Sequence, residues 1–353
     1  MKKIIAPILI FFFVVLGFAL FSIYRTSDFL AQNPVPFEKA SNPSINKPPA
    51  PPEATLVAVG DIMLARNVGV KIKENGVDYP FEKVKPYLQA DIVFANLECP
   101  ITAGPPVPTG SMIFHANPGD ELGLQHAGFN IVSLANNHTM NFGNKGMLDT
   151  VSLLKMAGIN YVGAGKDSAE ASAPVYIEKN GIKFAFLGYN DPDVVPDNYF
   201  ATVNKPGTNR LDIPKMQTAV KAAKQNADIV IVSLHSGIEY KTPDQHQIDF
   251  DHAAIDAGAE MVLGHHPHVL QTVEKYHGKY ILYSLGNFVF DQMFSLETRQ
   301  SVITKTTFNK EGLEKIEFTP VMIYDYSQPQ IVTDSKDQAA ILAKLGVSET
   351  MYK

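Results

Sequence analysis

Beyond Ala54 the chain is built from short apolar runs, mostly β-branched, that each break off in glycine or a polar residue. They are Thr55–Val59, Ile92–Ala95, Asn130–Ala135, Ile229–Leu234, Met261–Leu263 and Tyr280–Ser284. Helix-like stretches lie between several of them, at Gly146–Ala157, Pro214–Asn226 and Gln245–Ala257. Runs this short and this apolar read as strands covered on both faces, and their alternation with helices reads as an α/β domain with largely buried sheets. Ala173–Ile177 and Lys183–Leu187, joined through Lys179-Asn180-Gly181, read as a hairpin, because Asn-Gly suits a tight turn with positive φ. With 353 residues, 45% of them hydrophobic, the chain can bury a sizeable core in one large domain or two small ones. From about Gln330 the sequence turns polar, and Gln338–Leu345 reads as a short peripheral helix.

The residues before Ala54 follow none of this. An uncharged apolar stretch from Ile4 to Tyr24 comes after Met1-Lys2-Lys3 and is closed by Arg25, and about 20 apolar residues suffice to span a bilayer as a helix. Two lysines and the amino terminus against one arginine place the N-terminus in the cytoplasm. A cleaved signal peptide is the rival reading, but its apolar region would be shorter, and Asp28-Phe29-Leu30-Ala31 offers only a poor cleavage site. Thr26–Glu53 is rich in Pro, Asn and Ser, with Lys47-Pro48-Pro49-Ala50-Pro51-Pro52 at its end, and reads as an extended spacer. The expected organisation is a cytoplasmic start and transmembrane anchor over 1–25 and a Pro-rich extracytoplasmic linker over 26–54. The folded domain then covers 55–330, and a polar tail with the short helix covers 331–353. The protein is expected at the cell membrane, single-pass, with its main domain outside the cytoplasm.

The residues that follow each strand are the ones that carry chemistry. Val57-Ala58-Val59-Gly60 ends in Asp61, and Val93-Phe94-Ala95 ends in Asn96-Leu97-Glu98. Val132-Ser133-Leu134-Ala135 ends in Asn136-Asn137-His138, Ile231-Val232-Ser233-Leu234 in His235, and Met261-Val262-Leu263-Gly264 in His265-His266-Pro267-His268. Ligands of α/β folds collect at the carboxyl ends of strands. Carboxylates, an Asn carbonyl and imidazoles are ligands for Zn, Mn or Fe. Such a set suits two ions about 3.5–4 Å apart, which together activate a bridging water. Taken singly, the residues have plainer readings: Asp61 as a helix N-cap, Asn136-Asn137 as a turn, His235 as a strand end meeting solvent. The histidine cluster resists that treatment, since His266 and His268 share one side of an extended segment. Recurrence at five strand ends is what points to a divalent-metal site of one or two ions. The single cysteine, Cys99, excludes an intrachain disulfide or a Cys-based zinc cage. A net charge of −6 and a pI near 5.9 argue against a nucleic-acid partner.

Six motifs of the chain carry a resemblance. They are Gly60-Asp61-Ile62-Met63-Leu64-Ala65-Arg66, Asn96-Leu97-Glu98-Cys99-Pro100-Ile101-Thr102, Ala135-Asn136-Asn137-His138, His235-Ser236-Gly237-Ile238-Glu239-Tyr240, Gly264-His265-His266-Pro267-His268-Val269 and Tyr283-Ser284-Leu285-Gly286-Asn287-Phe288-Val289-Phe290-Asp291. In this order, from about Thr55 to Asp291, they resemble the capsule synthesis protein CapA family. That family is tied to poly-γ-glutamate synthesis and export, and its fold is similar to the calcineurin-like metallophosphatases. The resemblance implies a four-layer α/β/β/α sandwich with metals at one edge, here preceded by one N-terminal transmembrane helix.

Carried over motif by motif, the resemblance implies Asp61 on the first ion and Glu98 bridging both. Asn137 and His235 would ligate the second ion, and His266 and His268 would be divided between the two. His138 would be the general acid, a task suited to imidazole near neutral pH. Asn96 would be a further ligand or a support to the ligands, and His265 a substitute ligand or a support. Arg66 would hold an anionic substrate group or brace the Asp61 loop through a salt bridge. Glu239, Tyr240, Asn287 and Asp291 would line the pocket, with Glu239-Tyr240 equally readable as a turn supporting His235. The departures from pattern matter. Met63 stands where metallophosphatases usually place a His, which implies one tight and one weak ion. Pro267 alters the histidine pattern, Asn141 replaces a usual Asp, and Ser236 replaces a usual aromatic residue. The expected activity is metal-dependent hydrolysis of a phosphoester or of an amide in a γ-linked glutamyl polymer. The alternative is a non-catalytic metal-binding subunit of a membrane complex, working with a multi-spanning polymer synthase on an anionic polymer.

Overall fold

The computed structural model describes residues 52–105 and 112–347, together with residues 16, 17, 19–22 and 25. Two compact units result, Met1–Ala50 and Pro51–Lys353. In the first, the described residues are helical, and Leu16, Leu20 and Phe21 are exposed. Among the described residues no helix is long and apolar enough to cross a membrane. The expected span Ile4–Tyr24 and the linker lie mostly outside them.

Among the described residues the second unit carries all the strands. In chain order it opens with β1 (Ala54–Ile62), α1 (Arg66–Asn75), β2 (Ile92–Leu97), α2 (Glu121–Ala127), β3 (Ile131–Ser133), α3 (Gly143–Met156), β4 (Asn160–Val162) and β5 (Ala164–Gly165). Then come α4 (Ser168–Ser172), β6 (Val175–Lys179), β7 (Ile182–Asn190), β8 (Gly207–Thr208), α5 (Ile213–Lys224), β9 (Ile229–His235), α6 (Gln245–Asp256) and β10 (Met261–His265). It closes with β11 (Val273–Tyr276), β12 (Lys279–Leu282), β13 (Asn287–Val289), β14 (Gln300–Asn309), β15 (Gly312–Tyr324), β16 (Gln328–Ile331) and α7 (Ser335–Lys344).

Two mixed sheets organise these elements. One runs β16-β15-β14-β1-β2-β3-β4, with β13 also paired to β1; the other runs β11-β12-β10-β9-β7-β6. Strands β1 to β4 are mutually parallel, as are β12, β10, β9 and β7, while the antiparallel strands sit toward the edges. The expected hairpin forms between β6 and β7, with Asn180 (φ 52) and Gly181 (φ 77) both left-handed, as a type I′ turn requires.

The side-chain alternation of β1 shows the layering. Leu56 and Ala58 point into a cluster shared with Phe184, Phe186, Ile229, Ile231, Met261 and Leu263 of the second sheet. Val57 and Val59 point the other way, against Val68 of α1, Leu124 of α2 and Met147, Val151 and Leu154 of α3. The outer face of the second sheet offers Leu187, Val230, Val232 and Val262 to Met216 and Val220 of α5 and Phe250 and Ala254 of α6. The order is therefore helices, sheet, sheet, helices, and the interior strands are apolar on both faces because both faces are covered.

The C-terminal helix differs from expectation. It begins at Ser335 rather than Gln338, with the Asp334 carboxylate accepting from the backbone N–H of Lys336 and Asp337 as its N-cap. Nor is it peripheral, since Ile341, Leu342 and Leu345 are buried in the cluster between the sheets. Only three apolar side chains fix it, so its polar surroundings masked its role in the sequence. Ile341→Ala should destabilise the protein by about 3 kcal/mol, the usual cost of emptying a fully buried site. Urea unfolding of the full chain would check this, and a loss below about 1 kcal/mol would mean that the helix adds little to the core.

Candidate metal centre

The carboxyl ends of the parallel strands of both sheets meet at one edge. Asp61 sits near the end of β1, Glu98 lies just past β2, and Asn137 and His138 follow β3. His235 and His265 close β9 and β10 in the other sheet. Each sheet brings its ligand-type residue forward on a glycine. A Cβ at Gly60 would lie 1.9 Å from the Gly286 carbonyl oxygen, and one at Gly264 would lie 2.0 Å from that of Tyr283. No other residue fits at either position, and both glycines directly precede site residues.

Across the gap between the sheets, His265 Nδ1 lies 3.1 Å from Asp61 Oδ1. Two groups of side chains form, and they share Glu98. In one, His268 places Nδ1 3.6 Å from Asp61 Oδ2 and Nε2 3.7 Å from Glu98 Oε1. In the other, His235 Nε2 lies 4.0 Å from Glu98 Oε1 and 3.1 Å from Asn137 Oδ1, and the His235 and His266 rings are 4.8 Å apart. Within the trio Asp61, Glu98, His268, and within the trio Glu98, His235, His266, the ligand atoms all lie within 4.8 Å of one another. Ligand atoms about 2.1 Å from a common tetrahedral ion are separated by roughly 3.4 Å, close to the shortest of these distances.

A divalent ion fits what the pocket lacks. Glu98 Oε1 and His266 Nδ1 are buried and make no hydrogen bond, although buried polar atoms nearly always have a partner. Burial, then the charges of Asp61 and Glu239, push the Glu98 carboxyl well above the usual range. Burial also opposes ionisation of Asp61, but hydrogen bonds from His265 and His268 outweigh it and hold that carboxyl well below its ordinary value. Burial holds His235 well below the usual imidazole value, with the neighbouring His266 adding to it, and lowers His266 to about 3. Neutral imidazoles beside carboxylates are the form in which these side chains bind metal.

Supporting bonds aim these groups. His268 Nδ1 is 2.9 Å from Asn287 Oδ1, which leaves Nε2 facing Glu98, the usual bracing of a ligating histidine. Asn287 is itself tied through its amide to Gln292 and to the Thr298 carbonyl. His138 Nδ1 is 2.9 Å from Asn141 Oδ1, and Nε2 lies 3.9 Å from Glu98 Oε1. The expected extended segment through His266 and His268 is not what forms. Both residues have positive φ, 100° and 57°, so the backbone coils after β10 and sends the two imidazoles to different partners, their centroids 6.1 Å apart. Positive φ at two non-glycine residues is strain of the kind that clusters at functional sites.

The remaining candidates divide. Arg66 is paired with Asp291 in a largely buried ion pair, and its guanidinium lies 4.4 Å from the centroid of the Phe114 ring. Phe114 in turn stacks on His138 at 3.9 Å. Arg66 thus braces the loop after β1, with Asn67 also bound to Asp291. Tyr240 is 41% exposed at the rim, its ring 6.1 Å from His268 and its hydroxyl accepting from Gln292. Glu239 reaches the centre only through its charge on Glu98. Met63 turns its sulfur to the backbone N–H of Ala65, and Cys99 accepts from that of Leu64, its thiol pushed up to about 12 by burial. The sequence shows Asn136 only as part of the Asn136-Asn137-His138 strand end, with a turn as its plainer reading, and Phe114 lies in a stretch with no period to mark it. A separate group, Asp191, Asp193 and His246, lies outside this centre and is mostly exposed.

Comparison with known proteins shows what the chain is similar to. The sequence profile of the family described as bacterial capsule synthesis protein PGA_cap matches residues 55–292. The chain is 35% identical to the capsule biosynthesis protein CapA of Bacillus anthracis, over 82% of this chain and 72% of that one. It is 36% identical to the PGA biosynthesis protein CapA of Bacillus subtilis (strain 168), over 81% of this chain and 76% of that one. Among solved structures it is similar to the calcineurin-like phosphoesterase YfkN from Bacillus subtilis, with a TM-score of 0.46 and 13% identity, over 76% of this chain and 90% of that chain.

The buried histidines give the ion-free protein a signed pH dependence. Burial, and then the His268 charge, lower His138 from 6.5 to about 4 despite its bond to Asn141. The stability that comes from keeping it neutral is complete above pH 6.5 and is lost as pH falls through 4. At about 1.4 kcal/mol per pH unit, that is about 3 kcal/mol. Urea unfolding between pH 7 and 4 should show wild type losing about this much more stability than His138→Gln, and parallel curves would contradict it.

Proposed function

Because the chain belongs to the bacterial capsule synthesis protein PGA_cap family, we propose that it acts in capsule or poly-γ-glutamate biosynthesis as a metal-dependent hydrolase. The observation that carries the catalytic part is the sharing of Glu98 by two buried ligand groups. A purely structural site has no need of a bridging carboxylate with a histidine 3.9 Å away.

In this reading Asp61, Glu98 and His268 would hold one ion, and Glu98, Asn137, His235 and His266 would hold the other. When bound, such ions supply Lewis acidity toward the scissile group and lower the pKa of water. Met63 turns its sulfur to Ala65 instead of this space, so three side chains would hold the first ion against four for the second. Asn287 keeps the His268 Nε2 directed at Glu98. His138 presents Nε2 to the same space, with Nδ1 held by Asn141. Negative charge of a bound substrate opposes the burial that lowers its pKa, and the protonated imidazole then delivers its proton to the leaving group. Arg66, spent on Asp291, holds the Phe114 ring that His138 stacks on rather than gripping substrate.

The uncharged run from Ile4 to Tyr24 supports a membrane anchor, and the Pro-rich stretch after it supports a domain standing off an outer membrane face. A multi-spanning polymer synthase is the partner that fits such a tether, with an anionic polymer or phosphoester as substrate.

The full chain, purified in detergent and loaded with Mn or Zn, should carry two ions. Asp61→Asn and His235→Ala should each lose about one, and Glu98→Gln most of both, as read by elemental analysis. His138→Ala should keep its metal and lose about 100-fold or more in turnover of a phosphodiester or of poly-γ-glutamate. Equal activity in His138→Ala and wild type would remove the assigned role of His138, and loss of only one ion in Glu98→Gln would remove the bridge.

A further inference from the structure

Asn96 is open, from sequence, to two roles: metal ligand or support. Hydrogen-bond polarity decides between them. Asn136 Oδ1 accepts from the backbone N–H of His138 (3.1 Å) and of Thr139 (2.9 Å). A backbone N–H can only donate, so this atom of Asn136 is its oxygen and the other is its NH2. That NH2 donates to the Leu97 carbonyl at 2.8 Å and to Asn96 Oδ1 at 3.0 Å. The Asn96 oxygen is thereby pointed at Asn136, and its own NH2 must face the opposite side. There it donates to Asp61 Oδ1 at 2.8 Å, and it lies 3.4 Å from both Glu98 Oε2 and His235 Nδ1. Asn136, Asn96, Asp61 and Glu98 are all fully buried, so no water can replace a misdirected donor.

We propose that Asn96 is a positioning residue and not a ligand: its NH2, held on this side by Asn136, lies against the inner oxygens of Asp61 and Glu98 and beside His235 Nδ1, which turns Asp61 Oδ2 and Glu98 Oε1 toward the ions. The second atom is the one that makes no hydrogen bond, and the first is 3.6 Å from His268. A single NH2 shared by two carboxylates also fixes their separation and mutual tilt. The chain of fixed polarity starts at the loop that carries Asn137 and His138 and ends on the carboxylates of β1 and β2, so both sides of the centre take their orientation from one backbone turn. This inference rests on the reading of Asp61 and Glu98 as metal ligands.

The test uses the full chain and Co(II). Asn96→Leu removes both hydrogens while keeping every proposed ligand. It should raise the Co(II) dissociation constant by about tenfold or more, the usual cost of losing a group that braces ligands. It should also shift the visible absorption of the bound ion, because the carboxylates become free to rotate. Wild-type affinity and spectrum in this variant would overturn the proposal. Anomalous diffraction from Co(II)-loaded wild-type crystals should leave Asn96 Oδ1 on Asn136, and an oxygen within about 2.5 Å of an ion would make it a ligand and overturn the proposal. Should wild type bind no Co(II), the metal reading fails by itself. Neutron diffraction from ion-free crystals then decides the amide: deuterons on the Asp61 and Glu98 side support it, and their absence there overturns it.

Discussion

Two carboxylates, Asp61 and Glu98, sit side by side without solvent exposure, and that unfavourable arrangement governs the rest of the domain. Isolated, each would be neutralised or expelled. The protein instead splits them, holding one ionised through imidazole contacts and pushing the other toward its protonated form. Everything around them serves that division. The first sheet delivers both acids from neighbouring parallel strands, the second delivers the histidines, and the glycines before Asp61 and His265 let the backbones come close enough for the two sets to meet. A pair so costly to bury in a core otherwise filled with valine, isoleucine and phenylalanine points to a ligand of opposite charge.

Much of this was legible in the sequence, for reasons that can be named. Apolar runs of β1, β2, β9 and β10 are continuous because both faces are covered, and a continuous run that stops at Asp, Asn or His marks the strand's carboxyl end. The convergence of those ends followed from the parallel topology. What stayed hidden has physical causes as well. The antiparallel strands β14 to β16 alternate apolar and polar residues less regularly, and α7 shows only a few apolar residues among polar ones. The coiled path through His266 and His268 was invisible because positive φ in histidine has no residue-type signal, unlike the Asn180-Gly181 turn. Asn136 looked like loop composition because its side chain is spent wholly on hydrogen bonds within the fold.

Aromatic residues set the local medium. Phe114 lies between the Arg66 guanidinium and the His138 ring, and Phe290 sits 4.9 Å from His268. They keep water from the imidazole faces, so burial rather than neighbouring charge dominates the lowered histidine values. The single cysteine adds nothing to this chemistry, its thiol being raised and turned to a backbone N–H.

The pairing of β1 with β13 and β14 has a kinetic meaning. The first strand of the domain occupies the middle of its sheet, yet two of its partners come from the far end of the chain. Asp61 therefore waits, in an incompletely zipped sheet, until residues near Asn287 and Phe308 close on it. Such long loops are slow to close and leave an edge exposed meanwhile. The Asp61 half of the centre depends on that closure, because Asp61, His268 and Asn287 adjoin one another only after it. A strand that opens the domain thus depends for its last partners on residues more than two hundred positions away.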